Sequence, residues 1–272
     1  MQLKDMTHIN WTKSSGSGVG SNGCYYKTKV KENGVTYYYK LSAYDSARGF
    51  YGHESFNEVI ISRLCKILGF DCATYTLVYV KVKVNNKIYT TYACKSKSYK
   101  KSNYTSISFE DYYILNSRNE SVLEFINIMN MQAFINRMLV VDYITINRDR
   151  HGANIEILKY RDKEAFAPLF DNGLTFVCSI TNDLKDYKDR LHTFDIFEDK
   201  PVNNYIGQRS LLSNLDLISA VVPVHRLQKK HKNTIFHGMN NVFDKEYIDL
   251  IWKIITYRYA FLRKRNIIRE VD

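Results

Sequence analysis

The chain has 272 residues, 45% of them hydrophobic, and a formal charge of +11. That suffices for one large domain or two small lobes, and three prolines with twelve glycines argue against long disordered stretches. The charge suits an anionic ligand, an acidic protein surface or nucleic acid, and does not choose among them. Five scattered cysteines (Cys24, Cys65, Cys72, Cys94, Cys178), none in a Cys-x-x-Cys pair, fit neither a disulfide framework nor a zinc site. They read as free thiols in a reducing cytosol.

In chain order, the first thirteen residues are polar and lack the apolar core of a signal segment. Gly18-Val19-Gly20-Ser21-Asn22-Gly23 then satisfies Gly-x-Gly-x-x-Gly. Two β-type runs follow, residues 24–30 and 35–41, and Asn33-Gly34 between them is a hairpin signal. Phe56, Val59, Ile60, Leu64 and Ile67 mark a helix over Glu54–Leu68, with Gly69 as its stop. Residues 74–84 and 87–93 alternate around Asn85-Asn86, a second hairpin. The 22 tyrosines suit half-buried sheet positions.

Residues 95–106 are polar and read as a connection between lobes. Beyond them the expected structure is mainly helical: about 121–143, segments within 184–217, 217–227 and 245–263. Residues 155–158 and 167–170 are expected as short strands around a turn at Arg161-Asp162. The most apolar segment, 122–146, is interrupted by Asn136, Arg137 and Asp142, so it reads as a buried helix and not a membrane span. The expected fold class is α+β and two-lobed. A β-rich N-terminal lobe with one helix (1–94) leads through the connection (95–106) to a helical C-terminal lobe (107–272).

The chemistry is concentrated in Asn147-Arg148-Asp149-Arg150-His151-Gly152-Ala153-Asn154 and Phe170-Asp171-Asn172-Gly173. An Asp, an Asn five residues on, and a second Asp before a Gly are the groups that phosphoryl transfer from ATP requires. Asp149 is the candidate catalytic carboxylate that orients the attacking hydroxyl. Asn154 and Asp171 are candidate Mg²⁺ ligands, since magnesium takes hard oxygen donors. Gly18, Gly20, Ser21 and Gly23 would let backbone N–H groups approach phosphates. A β-type run follows them, which excludes the dinucleotide-binding version of the motif. Lys40 would reach the nucleotide phosphates, held by Glu58 on the following helix, with Glu54 in reserve. Arg150 and His151 read as structural or phosphate-facing, and His151 is assigned no chemistry. Each feature alone suits an ordinary turn or cap. Their order and spacing carry the reading.

These residues resemble a known family. Asn147 to Asn154 is similar to the Asn-x-Asp-Arg-His-x-x-Asn signature of HipA-like kinases, and Phe170 to Gly173 resembles their metal-binding turn. Asn57-Glu58 with the helix ending Leu68-Gly69-Phe70, and Lys40, resemble their Asn-Glu helix and nucleotide-binding lysine. The resemblance implies a kinase-like fold related to phosphoinositide kinases, with ATP and Mg²⁺ used to phosphorylate Ser or Thr. It also implies a toxin role, a DNA-binding antitoxin as partner, and a translation protein such as an aminoacyl-tRNA synthetase as acceptor. Full-length members carry a further N-terminal subdomain, so this chain is expected to be a compact form, and residues 14–23 depart from the family's glycine-loop pattern. Members autophosphorylate a loop serine and silence themselves; Ser14, Ser15, Ser17 and Ser21 are the candidates here. A phosphate there would repel those of ATP, and mass spectrometry after incubation with ATP and Mg²⁺ reads it. The expected location is cytoplasmic, with secretion as an effector left open. Nucleic acid is not expected as a direct ligand, and no membrane association is expected. The alternatives are a catalytically silent kinase-shaped binding protein and a small-molecule or lipid kinase; a basic nucleic-acid-binding module stands behind both.

Overall fold

The computed structural model describes residues 1–13, 25–101, 103–179, 191–207 and 209–271. Two short strands without a sequence signal open the chain, β1 (Lys4–Met6) and β2 (Thr12–Lys13). The first hairpin is β3 (Tyr26–Glu32) against β4 (Val35–Leu41). Asn33 and Gly34 turn it at φ of 49° and 80°, the positive values a tight two-residue turn demands. A small ribbon, β5 (Tyr44–Asp45) and β6 (Gly49–Phe50), leads into α1 (Glu54–Leu68). Left-handed Gly69 closes α1 at the expected place.

The second hairpin, β7 (Tyr75–Val84) and β8 (Lys87–Lys97), turns at Asn85 and Asn86, both at positive φ. Together these strands form a six-stranded sheet in the order β1-β7-β8-β4-β3-β2. One face packs on Met6, Trp11, Tyr26, Tyr39, Leu41, Val80 and Val82, while Leu77 and Cys94 join the core around α1. β8 runs through Cys94 to Lys97, past the expected end of the first lobe, because Lys95 and Lys97 lie in register with Tyr39 and Tyr37. Polar composition misled here: Lys95 sits over the Tyr37 ring, 3.8 Å from its centroid, and its ammonium reaches Glu32.

β9 (Thr105–Ser108) starts a second sheet, ordered β12-β11-β9, with α2 (Phe109–Asn116) directly after it. The single helix expected over 121–143 is two: α3 (Val122–Ile128) and α4 (Gln132–Thr145). Asn130 breaks it at φ 55°, and the Met131 N–H reaches back to the Ile126 carbonyl at 2.9 Å. Short strand β10 (Asp149–Arg150) follows, then β11 (Glu156–Tyr160) and β12 (Lys163–Phe166). The strand expected at 167–170 lies four residues earlier, because Pro168 cannot donate to a ladder; Leu169 instead bridges to Cys72.

The rest of the chain holds β13 (Asn203–Asn204), paired with β10, and β14 (Val222–His225). α5 (His231–Ile235), α6 (Lys245–Lys264) and β15 (Ile268–Val271) complete it. A helix was expected over 217–227. Val222 and Val224 instead alternate with exposed neighbours, a period of two, and β14 lies parallel to β15. Within 184–217, described residues 191–193 and 213–217 form only short 3₁₀ turns. All of α1 but Arg63, Lys66 and Ile67 is buried. It is gripped between the first sheet and the second half of the chain: Phe56 meets Phe243 at 4.9 Å, and Arg63 binds the Ile235 carbonyl at 2.8 Å. A helix buried all round is a core element, and α1 carries two of the candidate residues into the seam between lobes. Among the described residues no helix is long and apolar enough to cross a membrane.

Candidate active site

Lys40, near the end of β4, is 8% exposed, and its ammonium lies 3.1 Å from Glu58 Oε1 on α1 and in contact with Asp171 Oδ1. Burial pushes the Lys40 pKa down, but Asp171 and then Glu58 outweigh it and hold it well above the ordinary lysine value. Burial likewise works to raise Asp171. Lys40, with Lys27 and Arg150 behind it, overrides that and keeps the carboxyl ionised far below the usual range. Burial raises Glu58, against the pull of Lys40. Glu54, the reserve partner, is engaged elsewhere: its Oε2 accepts the Ala43 N–H at 3.1 Å and its Oε1 the Tyr25 hydroxyl at 3.2 Å. The Tyr25 ring lies 4.9 Å from the Lys40 ammonium.

Asp171 adopts φ 54°, a left-handed conformation that a short polar residue tolerates. Its neighbour Asn172 donates its N–H to Glu58 Oε2 at 3.0 Å, so α1 fixes this loop directly. Asn57, the residue before Glu58, donates to the Gly173 carbonyl at 2.8 Å.

The loop carrying Asp149 hangs from the end of α4. Ile146 sits at φ 55°, costly for a β-branched side chain. The Asn147 N–H holds that turn through the Asp142 carbonyl at 2.9 Å, and the Asn147 side chain donates to Asp142 Oδ1 at 2.9 Å. Arg150, fully buried, is the hub. It binds Asp142 Oδ1 at 2.8 Å, Asn172 Oδ1 at 2.6 Å, the Phe170 carbonyl at 2.8 Å and the Asn154 carbonyl at 3.3 Å. Asn154 donates its Nδ2 to the Asp149 carbonyl at 2.9 Å, so Oδ1 is the end that could hold a metal. Asp149 is half-buried, and its Oδ1 accepts from Asn203 Nδ2 at 3.1 Å, across the β10–β13 pair. Gly152 is required by close approach: a Cβ there would stand 2.5 Å from Glu110 Cβ on α2. His151 is half-buried, and its carbonyl accepts the Asn154 N–H at 2.9 Å.

Lys40, Glu58 and Asp171 thus meet directly, and Arg150 ties the Asp171 loop to the Asn154–Asp149 loop. Gly18, Gly20, Ser21 and Gly23 lie outside the described residues. Sequence reasoning missed three supports: Asp142, Asn172 as a clamp, and Asn203. Asp142 had a signal, since a carboxylate inside an apolar helix needs a buried partner. Asn203, 54 residues beyond Asp149, had none.

The β-rich sheet with its single helix, the helix-bearing second half and the seam between them define a two-lobed, protein-kinase-like fold. The structure of CtkA, a proinflammatory kinase of Helicobacter pylori, matches with a TM-score of 0.61 at 17% identity, over 98% of this chain and 97% of that one. HipA of Shewanella oneidensis MR-1, solved with HipB and its operator DNA, gives a TM-score of 0.45 at 14% identity over 94% of this chain and 57% of that one. A Golgi casein kinase gives 0.43 at 12% identity over 90% and 72%. The CtkA likeness shows a CtkA-like kinase fold. No protein-family model and no curated protein sequence matches the chain.

Proposed function

We propose that the protein is an ATP- and Mg²⁺-dependent kinase that transfers a phosphoryl group to a Ser or Thr hydroxyl of a protein. The observation that carries this reading is the buried Lys40–Glu58 pair joined to Asp171, on the loop that Arg150 also ties to Asn154 and Asp149. The donor set fits magnesium: Asn154 Oδ1 and the Asp171 carboxylate are hard oxygens, and only Oδ1 of Asp171 is taken by Lys40. Among the described residues no three His, Cys, Asp or Glu side chains cluster as a metal site, so the ion would rest on these two donors and the nucleotide. Bound there, it would neutralise charge on the phosphates.

Lys40 supplies a fixed ammonium for phosphate oxygens, held charged and in place by Asp171 and Glu58. Asp149, oriented by Asn203, accepts a hydrogen bond from the acceptor hydroxyl and takes its proton as the new O–P bond forms and the nucleoside diphosphate leaves. Positioning and charge supply most of such a rate enhancement. The resemblance to HipA-like kinases adds an antitoxin partner and a translation protein as acceptor; a helix-turn-helix reading frame beside this gene would support that extension.

Asp149→Asn is expected to abolish transfer of γ-phosphate while ATP and Mg²⁺ still raise the melting temperature. Asp171→Ala is expected to lose that stabilisation. Normal turnover in Asp149→Asn would overturn the role given to Asp149. Nucleotide stabilisation of the unaltered protein with no transfer to any acceptor would make it a silent nucleotide-binding relative.

A further inference from the structure

Two arginines flank Asp149, and the fold treats them oppositely. Arg150 is enclosed, its guanidinium engaged by Asp142, Asn172 and two carbonyls. Arg148 is half-buried, and among the described residues its guanidinium makes no hydrogen bond and no ion pair; its carbonyl accepts the Asn203 N–H at 2.7 Å, and its charge acts on the Cys178 thiol. Holding a partly desolvated cation unpaired is unfavourable, and an oxyanion brought by a ligand would relieve it.

Arg148 lines an open pocket of about 270 Å³ with Asp149, Leu174, Cys178 and Pro201. Among the described residues, Arg148 is the one cation and Asp149 the one carboxylate in that lining. Lys40 and Asp171, the groups assigned to the nucleotide, are not among its described lining residues, whereas Asp149, assigned to the acceptor hydroxyl, is; on the kinase reading the pocket is the acceptor's. Its charges suit a neutral hydroxyl facing Asp149 beside an anion facing Arg148. The planar guanidinium fork matches carboxylate and phosphate alike.

Resting on the kinase reading, we propose that Arg148 selects the acceptor: the residue beside the receiving Ser or Thr is acidic or already phosphorylated and pairs with this guanidinium. Arg148 is then a specificity residue and takes no part in proton transfer.

The test uses three labelled peptides that differ only in the residue next to one serine: Glu, phosphoserine or Gln. Binding is followed by fluorescence anisotropy, and transfer by kcat/KM. Both acidic peptides are expected to outdo the Gln peptide by about tenfold, the scale of one charge-assisted hydrogen bond. If phosphoserine leads, the natural acceptor is a primed site; if Glu equals it, a carboxylate suffices. Arg148→Gln is expected to bring the acidic-to-neutral ratio near one, and Arg148→Lys to keep part of it. The rise in melting temperature on adding ATP and Mg²⁺ checks that each variant is folded.

No acidic preference in the unaltered protein, or the same preference in Arg148→Gln, overturns the proposal. So does a loss of nucleotide stabilisation in Arg148→Gln with peptide preference unchanged, which would place Arg148 on ATP. Arg148-dependent acidic-peptide binding without transfer or nucleotide stabilisation would overturn the kinase reading and leave the peptide site standing.

Discussion

A buried arginine is tolerable only when its charge and donors are matched, and Arg150 meets that condition by tying its own loop to α4 and to the loop of residues 170–172. Removing the guanidinium leaves Asp142 buried with Asn147 as its one side-chain hydrogen-bond donor among the described residues. Arg150→Met is therefore expected to destabilise by about 3–5 kcal/mol, read in denaturant unfolding. A loss below about 1 kcal/mol would mean the hub is replaceable by packing. The residue type was visible in the sequence, but its role was not. Arg148 and Arg150 sit two positions apart with the same side chain, and among the described residues only Arg150 meets an internal carboxylate.

At the scale of elements, local chemistry was a good guide wherever it is self-contained. The Asn-Gly and Asn-Asn turns fixed both hairpins, and the apolar stripe with Gly69 fixed α1 to its observed ends. The readings that failed depended on what lies opposite: Lys95 and Lys97 are strand residues because Tyr39 and Tyr37 face them, and Val222–His225 is a strand because β15 returns to it. The 3₁₀ turn of residues 152–154 is a tight fit of one element on another. Gly152→Ala must push Glu110 and α2 away from that turn. The expected cost is about 1–3 kcal/mol of overpacking, seen as a lower melting temperature. Turnover is expected to fall as well, because Asn154 moves with the turn. A variant with unaltered melting and turnover would show that α2 yields freely.

For the whole molecule, charge pairing between distant segments sets how folding responds to pH. Burial works against the Glu32 carboxylate, but hydrogen bonds from Lys4, Lys95 and Tyr39 outweigh it and hold its pKa at about 2, below the ordinary 4.5. A carboxylate with a depressed native pKa adds stability above its unfolded value and loses it as pH falls through the native one. Glu32 and Asp171 act in this sense. Glu54 and Glu58, raised by burial, act oppositely: their contribution falls as pH rises past their unfolded value. Glu32→Gln is expected to flatten the loss of stability between pH 4.5 and about 2, measured by thermal melts; an unchanged acid limb would show that Glu32 is not part of it. The sequence by itself determined the order of reactive groups, the two hairpins and α1, because turn residues and hydrophobic period act over a few neighbours. The tertiary structure alone decided that Lys40 meets Asp171, 131 residues away, and that Asn203 steadies Asp149. A charge finds its counterpart only when distant segments close around it, and no local pattern encodes which segments those are.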